Sequence, residues 1–207
     1  MNHRVLWTLL CVALAALLVW LTFGWQPETD AGALHDAPLR SAAPAGGDFT
    51  LTSADGPVAL ADYRGKVVLL YFGYTFCPDV CPTSLATIAQ ALSMLAPDEL
   101  DKVAGFLISV DPERDTMAVL KAYAPFFHPN IVGISGSAAE VAQVARQYGA
   151  RYMKQKPDGD GRYAVDHSSL TYVVGADGKL AASLPHASPP QRIVDAIRTQ
   201  LDAAKTN

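Results

Sequence analysis

Val67-Val-Leu-Leu-Tyr-Phe-Gly-Tyr74, followed at once by Thr75-Phe-Cys77-Pro-Asp-Val-Cys81-Pro82, is the stretch on which the fold turns. Its first half is a continuous apolar, β-prone run, the pattern of a strand buried on both faces. Just beyond the cysteines, Thr83–Leu95 places Leu85, Ile88, Ala89, Leu92 and Leu95 on one helical stripe. A buried strand, a cysteine-bearing turn and a helix therefore follow one another. Open α/β sheets put their sites in this position, beyond the carboxyl end of a strand.

The flanking sequence extends the pattern. Phe49–Thr52 and Val58–Leu60 are short strands about a Gly56-Pro57 turn. Val103–Val110 is a second buried strand, Asp115 caps a helix carrying Val119, Leu120 and Tyr123, and Ile131–Ile134 is a third strand. Ser137-Ala-Ala-Glu140 is a capping box for a helix that ends at Tyr148 and Gly149. Ala150–Lys156 and Leu170–Val174 then read as strands, with the loop Pro157–Gly161 between them. A turn at Ala176-Asp177-Gly178 pairs Leu170–Val174 with Lys179–Leu184 as a hairpin. Ser188-Pro189 caps a last helix carrying Ile193, Val194, Ile197 and Leu201. A βαβαβα half followed by a ββα end predicts an α/β domain, a mixed sheet with helices on both faces. That outline is thioredoxin-like.

The whole chain has 207 residues, 50% hydrophobic and only 17% charged. Charged residues make up about 25% of a typical globular chain. The net charge of -4 gives no basic footprint for nucleic acid. Most of the excess hydrophobicity lies in Val5–Trp25, which carries no charge. As a helix this run spans about 31 Å, matching a hydrocarbon core of ~30 Å. Trp7 and Trp25 sit where interfacial aromatics belong, Arg4 precedes the run, and Glu28–Asp36 has no basic residue. The expectation is an uncleaved transmembrane anchor over 5–25, a cytoplasmic tail over 1–4, a flexible tether over 26–47 rich in Ala, Pro and Gly, and one domain over 48–207. The domain then lies outside the cytoplasm, in the periplasm if the membrane is a bacterial inner membrane. No Arg- and Ser-rich leader is present, which favours bacteria.

With Cys11 in the anchor, Cys77 and Cys81 remain for an oxidising compartment. A thiolate at a helix N-terminus is expected to have a lowered pKa. Three residues separate the cysteines, where thioredoxins have two. Pro82 fits as the first helical residue with Cys81 as cap. The resulting wide turn can close a disulfide or hold two sulfurs around an ion. A purely stabilising disulfide would close a very short loop and constrain the unfolded chain weakly.

Two thiolates alone bind a metal poorly, so the histidines are the next candidates. His3 lies in the tail and His35 in the tether. His128 follows a helix, where a dipole partner is the ordinary role, and His186 precedes the last helix on a loop. His167, in Val-Asp-His-Ser-Ser-Leu-Thr-Tyr, precedes a hairpin strand on a loop facing the cysteine turn. Position alone leaves it between a hydrogen-bonded loop histidine, the leading reading, and a ligand.

The chain resembles the Sco (SenC) family of membrane-anchored copper chaperones for cytochrome c oxidase. The resemblance covers about residues 46–204 and rests on Thr-Phe-Cys77-Pro-Asp-Val-Cys81-Pro, Ser109-Val-Asp-Pro-Glu-Arg-Asp115-Thr and Asp166-His167-Ser168. It implies copper as the metal and Cys77, Cys81 and His167 as its ligands. It also implies an upstream copper donor and a copper-receiving subunit of the oxidase as partners. Met117 stands where the family often has proline, and Gly175 where it often has an acidic residue. Soft thiolates select Cu(I), zinc or iron–sulfur clusters, and structural zinc wants four ligands. Cu(I) tolerates two or three donors, and Cu(II) could add an oxygen from water, Asp166 or Asp79; Asp166 alternatively orients His167, and Asp79 is otherwise a solvated turn residue. Asp111–Asp115 serves local pairing, with Arg114 bound to a carboxylate, or offers a docking surface for the receiving protein. Phe76 is expected at the surface beside the site.

Three functions compete. The first is a membrane-anchored copper metallochaperone delivering copper to the binuclear copper centre of cytochrome c oxidase. The second is a thiol–disulfide oxidoreductase in which Cys77 attacks and Cys81 resolves, with no need of His167. The third, a peroxidase, lacks the upstream proline such enzymes carry, and Thr75 stands at the wrong offset.

Overall fold

The computed structural model describes residues 2–23 and 44–205, without the side chains of residues 5, 6, 8–11 and 21–23. It separates into two units. The first holds α1 (His3–Phe23), a helix of 21 residues. Among the described residues, no helix is long and apolar enough to cross a membrane. Residues 26–43 of the expected tether, Trp25, His35 and the Cys11 side chain lie outside the described residues. The end of the expected tether belongs to the domain instead: Gly46 bridges Lys179 and donates its N–H to the Gln147 carbonyl at 3.1 Å, and the Gly47 carbonyl accepts from the Tyr148 hydroxyl at 2.9 Å.

In the second unit β1 (Thr50–Ser53) and β2 (Gly56–Ala59) form an antiparallel hairpin. Its turn is Ala54-Asp55, not Gly56-Pro57, because Gly56 and Pro57 already pair with Ser53 and Thr52. The central strand β3 (Val67–Gly73) is buried at every position, as its unbroken apolar run requires. It is followed by α2 (Val80–Ser93), the short helix α3 (Pro97–Leu100), β4 (Val103–Ser109), α4 (Met117–Phe127), β5 (Ile131–Ile134) and α5 (Ala138–Tyr148). Then come β6 (Tyr152–Lys154), β7 (Val165–His167), β8 (Thr171–Val174), β9 (Leu180–Leu184) and α6 (Pro190–Lys205).

The main sheet has the order β5-β4-β3-β8-β9. β3, β4 and β5 run parallel, whereas β8 is antiparallel to β3, with Tyr71 opposite Thr171. The expected mixed sheet is therefore present. Successive side chains of β3 point to opposite faces. Tyr71 reaches α2, donating from its hydroxyl to the Val80 carbonyl at 3.2 Å. Phe72 meets Tyr148 of α5 on the other face, with ring centroids 6.3 Å apart. Helices thus cover both faces. β8 begins beside the carboxyl end of β3, so the segment leading into it arrives at the cysteine turn.

The last helix starts at Pro190, beyond the expected Ser188-Pro189, and three further differences from the sequence reading have a local reason. α2 starts at Val80 rather than Thr83, so Cys81 is its second residue and not its cap. Pro82 is tolerated there because first-turn N–H groups have no intrahelical acceptor. Thr116, not Asp115, caps α4, accepting a hydrogen bond from Val119 N–H at 3.3 Å. The strand expected over Ala150–Lys156 shortens to β6 and pairs with an unanticipated strand, β7, with Tyr152 opposite His167. The Ser137–Glu140 capping box and the left-handed Gly149 (φ 68°) that ends α5 are as expected.

β5 and α4 approach too closely for a side chain between them. A Cβ on Gly133 would lie 2.8 Å from both the Cβ and the carbonyl oxygen of Leu120. Gly133→Ala should therefore destabilise the domain by about 1–3 kcal/mol in urea denaturation. Wild-type stability in that variant would contradict the packing described.

Candidate metal centre

Cys77 and Cys81 sit at the carboxyl end of β3, the first on the turn and the second in the opening turn of α2. Cys77 N–H donates to the Tyr74 carbonyl at 3.3 Å, closing the turn back on the strand. Both are free thiols and both are buried, Cys77 at 8% exposure and Cys81 at 0%. Gly73 is what admits Cys81. A Cβ there would stand 2.8 Å from the Cys81 sulfur and 2.9 Å from the Tyr71 ring.

His167 comes from the far end of the sequence. Pairing of β7 with β6 places it at a strand terminus, not on a loop. Its Nε2 lies 3.2 Å from Cys81 Sγ and 3.7 Å from Cys77 Sγ. One donor atom from each of the three residues falls within 4.8 Å of the others. The rings of Tyr71 and Tyr74 pack edge-on against the imidazole, at centroid distances of 6.1 and 5.8 Å.

The proton inventory follows from burial and partners. His167 Nδ1 lies 3.2 Å from the Ser168 carbonyl oxygen, which can only accept. Nδ1 therefore carries the proton, and the Nε2 lone pair faces the sulfurs. Burial lowers the His167 pKa and keeps the ring neutral. Asp166, expected to orient it, is exposed and bonds Gln155 instead, because cross-strand pairing turns it to the opposite face of the hairpin from His167. The Cys81 thiol moves against the expectation of a lowered pKa: burial pushes it far up. The helix-terminus effect, about 0.3–1 kcal/mol, is smaller than the several kcal/mol that full burial imposes on a charge.

The other sequence candidates stay apart from the sulfurs. His128 is buried, and its Nδ1 accepts from Asn130 N–H at 3.1 Å, so it is no cationic dipole partner. Burial lowers its pKa. His186 Nδ1 pairs with the Ser84 hydroxyl at 2.9 Å. Asp79 is an exposed cap-position residue whose side chain makes no capping bond. Phe76 is 58% exposed beside the site, as expected.

Asp115 is the site residue whose role the sequence concealed. It is 1% exposed, and its carboxylate accepts from Thr75 N–H at 3.0 Å, Thr75 Oγ1 at 2.6 Å and Ser109 Oγ at 2.5 Å. It ties the cysteine turn to the end of β4. The signal was Ser109-Val-Asp-Pro-Glu-Arg-Asp115 itself, but spacing to the next helix pointed to a cap.

A thioredoxin-like domain that gathers two thiols and a neutral imidazole at the end of its central strand defines a soft-metal or thiol-redox protein. Residues 37–202 match the family described as SCO1/SenC, and the chain belongs to that family. It is 39% identical over 189 residues to the mitochondrial SCO2 homolog of Bos taurus, covering 90% of this chain and 71% of that protein. The copper-bound ScoI of Bradyrhizobium japonicum superposes with a TM-score of 0.65 at 37% identity, over 75% of this chain and 99% of that one. BsSco, described with a disulfide switch as a member of the Sco family of cytochrome c oxidase assembly proteins, has a TM-score of 0.62 at 28% identity. The alignment with it covers 78% of this chain and 95% of that chain.

Gly73→Ala should displace Cys81 from its pocket. The buried thiol should then react several-fold faster with a thiol-specific dye in the folded protein. Unchanged labelling of Cys81 would show that the Gly73 contact does not confine it.

Proposed function

We propose that this chain is a membrane-anchored copper metallochaperone that holds copper with Cys77, Cys81 and His167 and passes it to the binuclear copper centre of cytochrome c oxidase. The observation that carries this reading is the meeting of Nε2 with both sulfurs, 3.2 and 3.7 Å away. A thiol pair used only for exchange needs no imidazole lone pair aimed at it. The copper-bound relative and the oxidase-assembly family support the choice of metal and of target.

The residues have separable roles. Two sulfurs supply soft donors that favour Cu(I). His167 completes a three-donor set without a change of protonation, since its ring is already neutral and its tautomer is set by Ser168. Cys81 must give up a proton when the metal enters, and its burial makes that proton hard to remove. Binding is therefore coupled to proton release and weakens as pH falls. A three-donor set leaves room for a receiving protein's ligand to add before one of the chain's own leaves. Exposed Phe76 borders the turn where such a partner would approach.

The anchor reading rests on the charge-free run Val5–Trp25 after Arg4. It places the domain on the periplasmic side of the inner membrane, close to a membrane-bound oxidase. A second reading, thiol–disulfide exchange on the target's cysteines, is favoured by the free state of both thiols. In it Cys77 attacks a target disulfide, and Cys81 then displaces the reduced target and forms the Cys77–Cys81 disulfide, which an external thiol reduces again.

Anaerobic Cu(I) titration of the full chain in detergent, against a chromophoric Cu(I) chelator, tests the proposal. Wild type should bind one equivalent, and His167→Ala should lose at least about 100-fold in affinity. Full-strength binding by His167→Ala, with exchange activity intact, would favour the second reading.

The same titration across pH 6–8 should show affinity falling as pH falls. Release of the Cys81 proton alone gives about 10-fold per pH unit. An affinity independent of pH would mean that Cys81 is already ionised, contrary to its burial.

A further inference from the structure

We infer that Arg114 is a positioning residue, the clasp that holds the cysteine turn and the histidine-bearing hairpin in register; this rests on the metal-site reading above. Arg114 touches none of the three donors. Its planar head meets both structures that present them. Nε donates to Asp111 Oδ2 at 2.5 Å, and Nη1 donates to the Tyr163 carbonyl at 2.9 Å. The guanidinium carbon lies 3.7 Å from the Tyr163 ring centroid, 4.9 Å from that of Phe76 and 5.5 Å from that of Tyr74. Tyr74 and Phe76 flank Thr75 in the turn that leads to Cys77. Tyr163 leads into β7, which ends at His167.

Two further bonds close the assembly. Tyr163 donates its hydroxyl to Asp111 Oδ1 at 2.9 Å, so the 3% exposed Asp111 is shared between Arg114 and Tyr163. Val165 N–H donates to the Tyr74 hydroxyl at 3.2 Å, tying hairpin to turn directly. Arg114 Nη2 is buried without a hydrogen-bond partner. The surrounding aromatic faces stand in for one, since a guanidinium is attracted to π faces and is weakly hydrated. A lysine could keep the charge but not the fork, the planar stack or both hydrogen bonds at once.

The consequence is a division of labour along Asp111–Asp115. Asp115 fixes the start of the cysteine turn through Thr75. Arg114 fixes the relation of that turn to the hairpin. Without the clasp, His167 and Cys77 would still be present, but their spacing would fluctuate. A donor set must be preorganised to bind tightly.

The test compares Arg114→Lys, Arg114→Ala and Tyr163→Phe with Gly133→Ala, a variant expected to lose stability away from the site. Full chains in detergent are assayed for Cu(I) affinity by chelator competition. The copper-free proteins are examined by NMR of 15N-labelled histidine, with the His167 ring assigned by its loss in His167→Ala. Arg114→Lys should weaken Cu(I) binding by about 10–100-fold. It should also broaden or shift the His167 ring signals without metal. Tyr163→Phe should show a smaller effect of the same kind, and Gly133→Ala neither effect. If Arg114→Ala does not fold, Arg114→Lys decides the matter. Wild-type affinity and unchanged His167 signals in Arg114→Lys would overturn the proposal, as would an equal loss in Gly133→Ala. If wild type itself binds no Cu(I), the metal reading falls, and the His167 ring signals still decide whether Arg114 holds the two segments together.

Discussion

The constraint on which the site depends is the placing of one neutral imidazole against two buried sulfurs. Each group alone would be better hydrated in the open chain, and burial without a partner is costly. The fold offsets this with surrounding contacts. Tyr71 and Tyr74 wall the ring, the Ser168 carbonyl accepts a hydrogen bond from Nδ1–H, and Gly73 makes room for the Cys81 sulfur. None of these four residues is one of the three proposed donors. Together they fix the direction of a lone pair.

A second consequence concerns charge. A helix N-terminus beside a cysteine suggests a ready thiolate, but in this chain desolvation outweighs the helix. Burial favours the protonated form of Cys81, so on the proposed function metal loading releases its proton. This suits a carrier better than a reductase. A fast-attacking thiol gains from a pKa near ambient pH, whereas a carrier gains from thiols that stay closed until metal arrives.

Much of this was legible in the sequence. Val67–Tyr74 announced a doubly buried strand because its apolar run has no polar face, and the capping box at Ser137 announced α5 because its partners lie three residues apart. Cys77 and Cys81 were legible as a pair because they are close in the chain. His167 was not legible from position alone, since its meeting with the cysteines is made by long-range pairing; the motif resemblance selected it. β7 escaped notice because three residues carry too little alternation to mark a strand. Asp115 reads as a cap for a related reason. A carboxylate before a helix is ordinarily a cap, and only tertiary structure brings Thr75 within its reach. The clasp at Arg114 was readable as a carboxylate pair but not as a bridge to Tyr163.

X-ray absorption spectroscopy of the Cu(I)-loaded full chain tests the central claim most directly. The proposed site predicts a copper shell of two sulfur scatterers and one imidazole nitrogen, the nitrogen vanishing in His167→Ala. A shell of two sulfurs alone in the wild type, identical to that of the variant, would contradict the account.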